Sequence, residues 1–315
     1  MTWYVTRRLA SVIPTLLVVS LFTFALITAI PGDKALAIAG VAASAEDLQR
    51  VREQYFLDQP IIVQYWHWLT SVLHFDFGVS RFNGESVAGQ IASRLPVTLS
   101  LVLLAAAIAL LFGVLLGISS GLRPRSPVDV ITNLASGLVL AIPSFVGAVL
   151  LVLVVGLQFG WLPLQGYEKF GDSPIGWFEH MLMPALALSG NLGAIVYRQL
   201  RASVNDTLGS RFVTAAWARG GTPVPVTGKH VLRNASGPAL TSFGVQLAYL
   251  IGGTVVVEQI FSIPGMGTYM LAAIKGNDVP VIQGCILTFV VCNAVFSLLV
   301  DIIYGLLNPK LRVAA

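Results

Sequence analysis

Residues able to make or break bonds are scarce in this chain, and those present are scattered. The four histidines, His67, His74, His180 and His230, all fall outside the long apolar stretches or at an edge of one. No Gly-x-Ser-x-Gly elbow occurs, so the buried Ser–His pair that an intramembrane protease would need has no source. A phosphate-cradling Gly-x-x-x-x-Gly-Lys-Ser/Thr loop is absent too, because Gly228-Lys229 is followed by His230 and lacks the upstream glycine. Cys285 and Cys292 are seven residues apart in one apolar stretch, about 10 Å on a helix and too far for a disulfide, so they read as packing residues. Of the acids, Glu258 and Asp301 lie within apolar stretches, where charge is expensive and normally functional. Glu258 is expected near the outer end of its stretch, close to water. Asp301 is expected to pair with an arginine of an inner loop. Neither supplies the mid-depth proton relay or sodium site of an ion-coupled carrier. What remains is neutral. Asn133, Ser136, Asn191, Gln246, Tyr249 and Asn293 are candidates for a polar path, and Asn191, Gln246, Tyr249 and Asn293 are assigned to it; hydrogen bonding between helices is the competing explanation for each. No catalytic residue and no metal ligand is assigned.

The elements that must position these residues are helices in lipid. Of 315 residues, 56% are hydrophobic and 11% charged, against about 25% charged in a soluble domain. A run of roughly 20 apolar residues crosses the hydrocarbon as a helix, since each backbone polar group must be satisfied without water. Six such runs are expected, at residues 9–30, 98–118, 133–159, 181–200, 236–258 and 281–307. The first follows Arg7 and Arg8 as a signal peptide would, but it is too long for an ordinary hydrophobic region and no small-residue cleavage site follows. It reads as a retained first helix. Pro143 and Pro184 are expected to kink their helices. Gly113, Gly117 and Gly121 form small-x-x-x-small steps, which predict close helix packing.

Orientation follows from the 19 Lys and Arg, which collect in cytoplasmic loops. With both termini inside, the inner segments hold Arg7, Arg8, Arg123, Arg125, Arg198, Arg201, Arg211, Arg219, Lys229, Arg233, Lys310 and Arg312. The outer segments, though longer, hold the other seven together with most acids. The net charge of +4 is therefore a topology signal, and a nucleic-acid partner has no support.

Two segments outside the bilayer carry structure of their own. Residues 33–94 form a long outer loop in which Ser44 and Asp47 resemble a capping box, followed by Leu48, Val51 and Tyr55 at helical spacing. A second helix is expected from Pro60, and Tyr65, Trp66, Trp68, Phe75 and Phe77 suit a membrane–water boundary. The loop reads as a lid on the outer helix ends and a docking surface for an extracellular partner. On the inner side, residues 201–235 are basic and helical in composition. Phe212–Ala218 predicts a short helix ended by Arg219-Gly220-Gly221. Thr222 is expected to cap a second short helix that opens with Pro223, where the missing N–H costs nothing.

Thr214-Ala-Ala-Trp-Ala-Arg-Gly220, with Lys229-His-Val-Leu-Arg-Asn-Ala235 and Pro238, resembles the EAA loop of permease subunits in bacterial ABC importers. Thr214 stands where that motif has Glu, while Ala215, Ala216 and Gly220 match. Leu95-Pro-Val-Thr-Leu99, Val256-Val-Glu-Gln-Ile-Phe-Ser-Ile-Pro-Gly-Met-Gly267 and Asp301-Ile-Ile-Tyr-Gly-Leu-Leu-Asn-Pro-Lys310 resemble the dipeptide, oligopeptide and nickel branch. The long first outer loop is similar to that of the first of two nonidentical permeases. The resemblance implies an all-α membrane protein with six transmembrane helices, the type I importer permease fold, and a structured outer loop between helices 1 and 2. It divides the chain into 1–94, a permease core 95–308 containing the coupling loop 201–235, and a cytoplasmic tail 309–315. It assigns ATPase coupling to Thr214, Ala215, Ala216, Arg219, Gly220, His230 and Arg233, and an outer gate or receptor dock to Glu258, Pro264, Gly265 and Gly267.

The implied activity is import of small peptides by alternating access across the bacterial cytoplasmic membrane. The implied partners are a second permease, two ABC ATPases, an extracytoplasmic solute-binding protein and lipid. The chain itself binds no cofactor and is no enzyme; ATP and Mg²⁺ belong to the ATPases. Haem or nickel chelates are the alternative cargo, and an ion-coupled carrier is the alternative class.

Overall fold

The computed structural model describes residues 2–28, 35–36, 43–54 and 56–307. The expected tail 309–315, and Asn308, Pro309 and Lys310 of the last motif, lie outside the described residues. Within them the structure is helical, apart from one isolated bridge between Val79 and Ser86. Among the described residues four helices are long and apolar enough to cross a membrane, or five if a pair broken between its halves is one span. The first helix, α1 (Thr2–Thr28), carries a shorter apolar stretch, Val12–Ala25. The chain divides into two compact units, one built on Leu99–Ile263 with the segment from Val295, the other on Arg7–Thr98 with Pro264–Ala294.

In the second unit the outer loop folds as its caps dictate. Ser44 and Asp47 exchange hydrogen bonds (Asp47 N to Ser44 Oγ, 3.2 Å; Ser44 N to Asp47 Oδ2, 3.3 Å) and open α2 (Ala45–Gln54). Those bonds from Ser44 also hold the Asp47 carboxyl below its usual range. Pro60 precedes α3 (Ile61–Leu73), which is fastened to α1: the Ser20 and Tyr65 hydroxyls are 2.9 Å apart, and the Phe24 ring meets those of Tyr65 and Trp68. The long helix α4 (Val87–Leu122) starts here and continues into the other unit. The Thr98 hydroxyl accepts from Met266 N at 2.8 Å, fixing the start of α10 (Met266–Gly276). Asn277, in the left-handed region, ends that helix, and α11 (Val279–Leu307) follows. Buried Asp278 accepts from the Ser80 hydroxyl (2.6 Å) and Arg81 N (3.0 Å) through Oδ2.

In the first unit, α7 (Pro174–Leu208) is the centre. It packs on α5 (Pro127–Ala141), α6 (Ser144–Gln158) and, most extensively, α9 (Pro223–Ile260). Ser126 and Ser173 cap α5 and α7, each before a proline at the first helical position. The expected single span 133–159 is two helices, turned 103° at Ile142-Pro143. Proline lacks the N–H that would continue α5 and forces its predecessor into an extended conformation; Ile142 has φ −96° and ψ 118°. The break is sharper than the kink expected. α7 continues through Pro184 as one helix.

The glycine steps on α4 face α7 in register. A Cβ on Gly113 would lie 2.9 Å from the Gly193 carbonyl oxygen, one on Gly117 3.1 Å from that of Tyr197, and one on Gly121 2.8 Å from Val204 Cβ. The contacts advance by four residues on both helices, so α4 and α7 run parallel at backbone contact distance.

Candidate functional site

The segment expected to couple, residues 201–235, is built on a small buried core. Leu200 and Val204 of α7 meet Val213 of α8 (Arg211–Ala218) and Val226, Val231, Ala235 and Ala239 of α9. Val213 is the inward anchor of α8, with Ala216 half-buried beside it. Thr214, Ala215, Arg219 and Gly220 are exposed around the outward side, together with Phe212 and Trp217. The helix closes with a Schellman turn, in which Gly221 N donates to Ala216 O (3.1 Å) and Gly220 N to Trp217 O (2.9 Å). Gly220 occupies the left-handed position, φ +82°. Gly221 is required by space instead: a Cβ there would lie 2.8 Å from Ala216 O and 2.7 Å from Val226 Cγ2.

The second short helix expected after Thr222 is not separate. Pro223–Pro225 runs through a π-helical turn, Val226–Leu232, directly into α9. Thr222 has the extended backbone of a cap but makes no side-chain cap bond. The donor it would use at the third position belongs to Pro225, which has no N–H. His230 is half-buried in the π-helical turn and Arg233 is exposed one turn later.

The path candidates differ in how far they are committed. Among the described residues, the side chains of Asn191, Gln246 and Tyr249 have no hydrogen-bond partner. Tyr249 is 73% exposed; Asn191, Gln246 and Asn293 are half-buried. The geometry adds two arginines that sequence reasoning passed over as topology markers. Arg201 forms a forked pair with buried Asp129, through Nε to Oδ1 and through Nη2 to Oδ2 at 2.9 Å. Asp129 also accepts from Arg125 N at 2.9 Å. One turn earlier on α7, Arg198 is exposed and donates from Nε to the Ser136 hydroxyl on α5, 3.0 Å away. An Arg-x-x-Arg step beside a Ser-Pro-x-Asp helix start was the available signal.

Glu258, expected close to water, is instead fully buried near the end of α9. The span runs on past it to Ile260, and Ile263 N folds back on the Glu258 carbonyl (2.9 Å), which encloses the side chain. Gly265 and Gly267, at the start of α10, are buried as well, and Pro264 is exposed. Farther along α10, burial pushes the Tyr269 phenol up to about 12, with smaller contributions from Cys285 and Asp278. Its hydroxyl has no partner among the described residues.

Comparison with known proteins fits this arrangement. Residues 113–313 match the model of the binding-protein-dependent transport system inner membrane component, and residues 1–102 match that of its N-terminal part. A Brucella abortus protein named as a peptide transport system permease is 37% identical over 99% of both chains. The glutathione transport system permease protein GsiC of Escherichia coli is 37% identical over 98% of both. The crystal structure of an amino acid ABC transporter with histidines shares the fold, with a TM-score of 0.53 at 19% identity over 69% of this chain and 93% of the other. The chain therefore belongs to the inner membrane components of binding-protein-dependent transport systems, the multi-pass permease subunits of ABC importers, which work with separate ATPase and solute-binding partners and are not themselves enzymes.

Proposed function

We propose that the chain is the first of two nonidentical permeases that pair to import small peptides, with both termini in the cytoplasm. The observation that carries the coupling assignment is α8: a short helix held from behind by Val213 and presenting Thr214, Ala215, Arg219 and Gly220 outward. Ala216, His230 and Arg233 complete the contact with the ATPase, whose subunits bind ATP and Mg²⁺. When the ATPase dimer closes, it moves α8, and the shared core transmits the shift to α7 and α9. Asn191, Gln246, Tyr249 and Asn293 line the path. Glu258, Pro264, Gly265 and Gly267 belong to the outer gate, on which a loaded binding protein docks.

The cargo assignment is supported by the relatives named for peptide and glutathione transport and by the dipeptide-branch motifs. A path of neutral amides and a phenol gives little selectivity, which leaves cargo choice to the binding protein. The test is uptake of a labelled dipeptide, tripeptide and glutathione by the complete transporter. Uptake blocked by vanadate and unaffected by an ionophore is expected; the reverse sensitivity would defeat the assignment, and haem or nickel-chelate uptake without peptide uptake would change the cargo.

A further inference from the structure

We propose that Arg198 is a carboxylate-binding residue of the inner half of the path, taking the C-terminal carboxylate of the peptide as it leaves toward the cytoplasm. The assignment rests on the peptide reading above. A guanidinium within a membrane helix keeps its charge at any accessible pH and is costly unless paired or facing water. Arg201, one turn away, is paired: Asp129 accepts both of its forks. That carboxylate is therefore spent. Arg198 has no acid within ion-pair reach among the described residues, and its one hydrogen bond goes to the neutral Ser136 hydroxyl.

Both terminal nitrogens of Arg198 are thus uncommitted among the described residues. Ser136 holds Nε and fixes the plane of the fork. Gly137 provides the room, since a Cβ there would lie 3.3 Å from Nη2. Ser136 stands seven residues beyond Asp129 on α5, about 10 Å deeper along the helix, which takes the Arg198 head below the level of the Asp129–Arg201 pair at the inner edge. Asn191 lies seven residues from Arg198 on α7, two turns along the same face, so the guanidinium continues a row that begins with an uncommitted amide. A positioned fork with free N–H donors is complementary to a planar carboxylate, bound through two parallel hydrogen bonds. An inner-leaflet lipid phosphate offers similar chemistry from a different source.

The complete transporter is reconstituted and uptake of a free-acid tripeptide is compared with that of its C-terminal amide, for wild type, Arg198→Gln and Arg198→Lys. Glutamine keeps a donor for Ser136 without the charge. It is expected to lower free-acid uptake roughly tenfold, the loss of about one charge-assisted hydrogen bond, and to leave amide uptake unchanged; lysine restores part of the loss. In the wild-type complex, millimolar free acid is expected to slow modification of Arg198 by a guanidine-directed dicarbonyl, and the amide is not. An equal fall for both peptides, or no fall and no protection in assembled complex, would overturn the assignment. So would a defect that appears only in vesicles containing anionic lipid, which would place a phosphate on Arg198. If the wild-type complex carries neither peptide, the cargo reading itself fails and this assignment falls with it.

Discussion

Gly220 and Gly221 are neighbours that are glycine for different reasons, and their substitutions separate the two. A Cβ on Gly220 would have nothing within 4 Å, so alanine there meets only the left-handed backbone, φ +82°, a cost of about 1 kcal/mol. Gly221→Ala must displace Val226 and the Ala216 carbonyl, an overpacking cost of about 1–3 kcal/mol delivered into the hinge between α8 and α9. Thermal unfolding of the purified complex is expected to order them wild type, Gly220→Ala, Gly221→Ala. A bulkier substitution such as Gly220→Leu is expected to leave the complex assembled and abolish uptake, because it projects from the exposed surface proposed to meet the ATPase. At the Asp129–Arg201 pair, Asp129→Asn strands a guanidinium. The expected loss is about 2 kcal/mol, below the roughly 3–5 kcal/mol of a fully buried pair, since the Arg201 side chain keeps 33% exposure. Adding Arg201→Met is expected to restore part of it, read from the same unfolding curves. The glycines were legible because small residues and a helix stop sit together in the chain. The arginine pairing was not, because positive charge in an inner loop already has a topological explanation, and only the α5–α7 contact separates Arg201 from Arg198.

At the scale of elements, what could be read was whatever local chemistry decides. The Ser44–Asp47 box, Pro60 before α3 and the small-residue steps on α4 each depend on residues within one or two turns, and each appears in the structure. The 103° break at Pro143 was underread, because a proline in an apolar run is compatible with either a kink or a stop, and neighbouring helices decide. The fusion of the second coupling helix with α9 was missed for a related reason: two prolines within the first turn look like a boundary, yet they also suit the start of a long helix. The α4–α7 contact supplies the element-scale expectation. Gly117→Leu puts a side chain against the Tyr197 carbonyl and Leu200, both about 3.1 Å from a bare Cβ. It is expected to abolish assembly of the transporter, whereas Gly147→Ala, with open space around it, is expected to leave both assembly and uptake near wild type. Detergent size-exclusion of the purified complex distinguishes the two.

For the molecule as a whole, the decisive property is what stands on each side of the membrane. In the proposed orientation residues 201–235 face the cytoplasm and the 78–86 turn the outside, and both contain exposed positions suited to labelling. With Cys292 replaced, a cysteine in place of Asn83 is expected to react with a membrane-impermeant maleimide on whole cells, and one in place of Trp217 only after permeabilisation; the opposite pattern would invert the topology. A cytoplasmic α8 then makes the energetic expectation specific. The sequence has no phosphate-binding loop, and, apart from Arg198, the residues proposed for the path, Asn191, Gln246, Tyr249 and Asn293, are neutral, so neither nucleotide hydrolysis nor an ion gradient has a purchase on this chain by itself. Alternating access needs a free-energy difference between two states that some ligand binds unequally, and in the proposed coupling that ligand is the ATPase acting at α8. Proteoliposomes holding this chain with its partner permease alone are therefore expected to accumulate no peptide under any imposed ion gradient. Adding the ATPase subunits, binding protein and ATP is expected to start accumulation, and removing the α8 contact by Gly220→Leu to stop it while ATP hydrolysis continues. Gradient-driven accumulation in the absence of ATPase would mean that the energy enters elsewhere, and α8 would lose its role.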